Sequence, residues 1–96
     1  VDRVEVLGNV STYASNLSRI SKSVLDSIKD CDMESAFECL AKFYAAYNIV
    51  SNEVISYRDI IGDDEVVRLH QTFEGIERDM RKRINEEARK CRVLRG

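Results

Sequence analysis

Apolar residues recur along this chain at alternating steps of three and four, in three long stretches, and not one proline interrupts them. That spacing places side chains on one face of a helix and is incompatible with the period of two that a strand requires. In the first stretch the seam is Val10, Ala14, Leu17, Ser21, Val24, Ile28 and Cys31, widened by Ile20 and Leu25. In the second it is Met33, Ala36, Leu40, Phe43, Tyr47, Val50, Val54, Tyr57 and Ile61. The third reads Val66, Leu69, Phe73, Ile76 and Met80, then drifts to Ile84, Ala88 and Cys91.

The punctuation fits the same reading. Asp30-Cys31-Asp32 separates the first two stretches, and an aspartate there can accept the orphan N–H groups of a helix start. Gly62 supplies the positive φ that closes a helix, and Asp63, Asp64 and Glu65 put negative charge at the positive end of the third. The sequence predicts helices over about residues 11–30, over about Met33 to Ile61, and a third after Gly62. Gly8-Asn9 reads as a break, with Asn9 or Ser11 as N-cap, and residues 1–8 as an extended tail or a backward extension of the helix. Turns of two or three residues make neighbours antiparallel. The expected fold is therefore all-α, an up-down-up antiparallel three-helix bundle with coiled-coil-like packing, formed as a single domain over residues 1–96. Gly75, inside the third helix, predicts a close helix–helix approach there.

At 96 residues, 44% apolar and 33% charged, the composition is that of one globular domain rather than a disordered chain. No run approaches the roughly 18 apolar residues of a membrane span. Asp2, Arg3 and Glu5 interrupt any signal-peptide core. Three cysteines, Cys31, Cys39 and Cys91, with no C-x-x-C pair, predict reduced thiols that behave as small hydrophobes in a cytoplasmic protein. Their convergence on one pole could begin a zinc site, but a fourth ligand is missing, because His70 falls in the opposite half.

Catalysis finds no foothold: there is no nucleophile with base and orienting group and no glycine-rich phosphate loop, so the expectation is a non-enzyme with no cofactor and no metal. The serines of the first helix (Ser11, Ser15, Ser18, Ser21, Ser23, Ser27) read as packing and solvation. His70 shares a face with Glu74 and Glu77 and could meet Glu53, yet the Glu-x-x-His repeat of helical metal sites is lacking; a surface histidine beside Glu74 is the simpler expectation. Phe37, Phe43, Tyr44, Tyr47 and Tyr57 read as core aromatics.

Charge is lopsided. Residues 78–96 hold eight Arg and Lys against three acids in a chain of net charge −2. Arg78, Arg81, Lys82, Arg83, Arg89, Lys90 and Arg92 make nucleic-acid binding an alternative. Against it, no aromatic occurs beyond residue 73, and the bundle topology brings this run beside Asp26, Asp30, Asp32 and Glu34, where the charges should offset. More suggestive are Ile49 and Ile60, which point away from the second seam, with Ala45 nearby. Aliphatic side chains on a solvent face predict a contact surface. The expected partner is protein, a second copy included, and neither nucleic acid nor membrane is favoured.

The segment Leu25-Asp26-Ser27-Ile28-Lys29-Asp30-Cys31-Asp32-Met33-Glu34-Ser35-Ala36-Phe37-Glu38, with Phe73-Glu74-Gly75-Ile76-Glu77-Arg78-Asp79 further on, resembles one repeat of the PhoU-type phosphate-regulatory proteins. The resemblance covers most of residues 15–92 and implies a three-helix repeat and a role in phosphate response. The family's metal pattern is an acid, three residues, then Asp; Glu74 and Asp79 have four residues between them, so the resemblance carries over no metal site.

Overall fold

The computed structural model describes residues 2–95, with side chains over 2–92; Val1 and Gly96 lie outside the described residues. It is all-helical: α1 (Arg3–Lys29), α2 (Met33–Ser56), a single turn α3 (Arg58–Ile61) and α4 (Asp63–Arg95). These pack into an elongated body of 54 × 19 × 16 Å. The longest dimension is close to that of α4, since 33 residues at 1.5 Å each span about 50 Å.

The expected seams form the interior. Val6, Val10, Leu17, Val24 and Ile28 of α1 meet Ala36, Phe43, Val50 and Val54 of α2, and Val66, Leu69, Phe73 and Met80 of α4, with Ile61 at one end. Leu40, Tyr47, Ile76, Ile84 and Ala88 pack against them half-buried. Each large aliphatic or aromatic side chain withdrawn from water contributes roughly 1.5–3 kcal/mol. α1 is the spine, with more extensive contact to α2 and to α4 than those two make with each other.

Where structure and sequence reading differ, packing or local hydrogen bonding is the cause. α1 begins at Arg3 rather than near residue 11. Asp2 is its N-cap, accepting from the Glu5 N–H at 2.8 Å. The helix runs through Gly8-Asn9 because Val6 and Val10 are buried on its inner face, and that burial outweighs the ~1 kcal/mol cost of an interior glycine. Arg3 Nη1 also donates to the Ile61 carbonyl at 2.9 Å, fastening the start of α1 to α3.

The second helix does not continue to Ile61. Tyr57, at φ −94° and ψ 7°, breaks it, and the Ile60 and Ile61 N–H groups restart the pattern on the Tyr57 carbonyl. Just before the break Ser56 Oγ donates back to the Glu53 carbonyl at 2.6 Å, a local bond that competes with the helical ladder. The apolar spacing carries on past the break, so the pattern alone could not show it.

Asp32 caps α2 as expected, accepting from the Ser35 N–H at 3.2 Å; the Ser35 hydroxyl first, and then this N–H, hold its carboxyl below the usual range. Gly62 has the expected positive φ of 90°, but its ψ of 156° is extended rather than left-handed helical. Its carbonyl accepts from the Val66 N–H, so it opens α4 as well as closing α3. Gly75 marks no close approach: a Cβ there would meet nothing within 4 Å. The cysteine expectation is also corrected. Cys31 and Cys91 form a disulfide, and only Cys39 is a free thiol.

Candidate interaction surface

Ala45 and Ile49 sit four residues apart on the outer face of α2, so their side chains are neighbours on one helical row. Both are exposed, Ile49 at 64%. Ile49 also borders an open, mostly apolar groove of about 200 Å³ between α1 and α2, lined by Tyr13, Leu17, Ala46, Val50 and Glu53. At the rim of that groove the Tyr13 pKa is pushed up to about 12, first by its hydrogen bond to the Glu53 carboxylate and then by burial.

Ile60 is exposed as well, but it belongs to α3, beyond the break at Tyr57. The helical phase that linked it to Ile49 assumed one continuous rod, so the two are not members of one row.

Phe37 is the residue the sequence reading misplaced. It is 69% exposed, not core. It lies eight residues before Ala45 and twelve before Ile49, with exposed Ala41 between, so the spacing did hold the signal. Ile55 and Val67 are further exposed apolar side chains that the reading passed over. Tyr44, also expected in the core, is exposed at 38%, whereas Phe43 and Tyr47 pack inward. Phe43 is fully buried, with Tyr44 edge-on at 5.4 Å and Tyr47 tilted at 6.0 Å. The Tyr44 hydroxyl reaches over to α4 and donates to Glu77 Oε2 at 3.1 Å; burial and that carboxylate raise its pKa. Arg81 Nε binds the same Glu77 oxygen at 3.2 Å.

The basic run lies along α4. Arg78, Arg81, Lys82, Arg83, Arg89, Lys90 and Arg92 are all exposed. Three of them find acids on their own helix: Arg81 with Glu77, Arg83 with Asp79 at 3.9 Å, and Lys90 with Glu87 at 3.2 Å. Among the described residues no ion pair joins this run to Asp26, Asp30, Asp32 or Glu34, so the expected cross-helix matching is replaced by local pairing. Arg78, Lys82, Arg89 and Arg92 recur at steps of four, seven and three and therefore share a face.

His70 Nε2 lies 3.1 Å from the Ser51 carbonyl on α2, which requires that nitrogen to carry the proton and donate. It is a strut between helices rather than a surface partner of Glu74. No set of three His, Cys, Asp or Glu side chains among the described residues is gathered as a metal site would need. An open groove of about 370 Å³ runs between α1 and α4, and Lys22, Lys29 and Arg83 share it with Asp26 and Asp79. No described helix is long and apolar enough to cross a membrane. Set against protein-family models, curated proteins and solved structures, the chain matches none.

Proposed function

We propose that this chain is a non-enzymatic helical-bundle module that binds protein, acting in assembly or regulation through the outer face of α2. The observation that carries the reading is the exposed pair Ala45 and Ile49 on one row of a helix whose opposite face is core. An aliphatic side chain held in water gains roughly 1.5–3 kcal/mol when fully covered, which a partner helix laid along α2 would realise. Ile60, on the adjoining turn, extends the apolar contact.

The scaffold behind this face reads as an up-down-up bundle with α3 as a corner. Four contacts support that arrangement: Cys31 with Cys91 at one end, Arg3 with Ile61 at the other, and the crossed pairs Tyr44–Glu77 and Ser51–His70 between α2 and α4. A cytoplasmic site of action requires that Cys31–Cys91 withstand the reducing thiol pool.

The test is binding with and without the anchors. Immobilised wild-type chain should retain a protein partner, or a second copy, that Ile49→Asp and Ile60→Asp release. A wild type that stays monomeric and retains nothing overturns the reading.

A second reading rests on the shared face of Arg78, Lys82, Arg89 and Arg92, which would track a phosphate backbone. It predicts nucleic-acid affinity that falls steeply with salt; no mobility shift at low salt removes it.

A further inference from the structure

We infer that the occupant of the α2 face is a second copy of this chain, docked antiparallel about a two-fold axis at the level of Phe43; this rests on the protein-binding reading above. Phe37, Ala41, Ala45 and Ile49 fall at every fourth position, and all four are exposed. Such a row is a ridge of the kind that interdigitates when two helices cross at about −50°. Its order is large, small, small, large. Two alanines at the middle let the backbones approach, and the bulky side chains at the ends, 69% and 64% exposed, wait to be covered.

The row is also self-complementary when reversed. A two-fold axis places the same patch on both copies, so that residue i meets j and j meets i. With the axis level with Phe43, Phe37 faces Ile49 of the second copy and Ala41 faces its Ala45. The exposed acidic residues beside the ridge follow suit: Glu38 comes opposite Asn48, and Glu34 opposite Asn52. No carboxylate meets its like. A parallel register would set Glu34 against Glu34 and Glu38 against Glu38, and such pairs are repulsive. A single helix pair lies below the roughly 1,200 Å² of a standard interface, so the dimer is weak and forms with concentration.

Sedimentation equilibrium of the purified chain, with circular dichroism to verify folding, provides the first test. The average mass should climb from monomer toward dimer with concentration. Ala45→Glu, which puts a carboxylate at the crossing, should weaken association by about tenfold or more. The second test does not depend on an anchor. In a Cys39→Ser background, Glu38→Cys mixed with Asn48→Cys should cross-link under mild oxidation, and Glu38→Cys by itself should not.

Three results would overturn the inference: a monomer at every concentration, a dimer indifferent to Ala45→Glu, or Glu38→Cys coupling to itself. A monomer that still holds another protein, and loses it on Ile49→Asp, rejects the second copy while leaving the protein-binding reading intact.

Discussion

Cys31 and Cys91, 60 residues apart in sequence, are joined by a disulfide with their Cα atoms 5.6 Å apart. The bond ties the α1–α2 turn to the last turns of α4, and Cys91 Sγ also rests 3.0 Å from the Ile28 carbonyl. Cys31 holds a φ of 58°, the only positive φ among the described non-glycine residues. A turn residue in that sparsely populated region is thereby anchored to the most distant helix end.

Cross-linking across so long a loop restricts the unfolded chain more than the folded one. Cys91→Ser should lower stability by about 2–4 kcal/mol, read from urea midpoints at neutral pH. Wild type treated with reductant should fall toward the same midpoint, and the variant should not respond. A midpoint unchanged by either treatment would mean the pole holds without the bond.

Two glycines make opposite predictions. Gly62, at φ 90° and ψ 156°, occupies a region that side-chain-bearing residues avoid, although a Cβ there would touch nothing within 4 Å. Gly62→Ala should therefore cost about 1–3 kcal/mol from backbone strain alone. Gly75 is helical with the same open space around it, so Gly75→Ala should add about 0.5–1 kcal/mol. Thermal melts of the two variants must move in opposite directions from wild type.

The core was legible because helix burial follows spacing directly. Leu17, Phe43, Phe73 and Met80, read from steps of three and four, are each buried to within about 1% of full. Helix ends were less so. Asp32 announced its cap, but the start of α1 depended on how well Val6 and Val10 pack, a tertiary property that Gly8-Asn9 masks. The Tyr57 break hinges on a hydroxyl-to-carbonyl bond from Ser56 that apolar spacing cannot register. The disulfide required knowing that two helix ends meet; the topology placed both cysteines at one pole, and only the distance between them shows that they bond. On the interaction surface the angular positions of Ala45 and Ile49 mark them as outward, whereas the aromatic ring of Phe37 suggests the interior although its angular position lies off the seam.

Tyr13 supplies the pH dependence. Its pKa stands at about 12 in the folded chain against an ordinary 10.0, chiefly through the hydrogen bond to Glu53, so the folded state holds the phenolic proton more tightly than the unfolded one. The contribution is fully present below pH 10 and is lost as pH rises toward about 12, because the unfolded chain ionises first. Wild type should lose stability across that window more steeply than Tyr13→Phe, whose melts should flatten there. Glu53→Gln removes the acceptor charge and should bring the phenol back toward its ordinary range in an ultraviolet titration. If wild type and Tyr13→Phe decline in parallel through the alkaline window, the Tyr13–Glu53 contact does not hold the groove between α1 and α2.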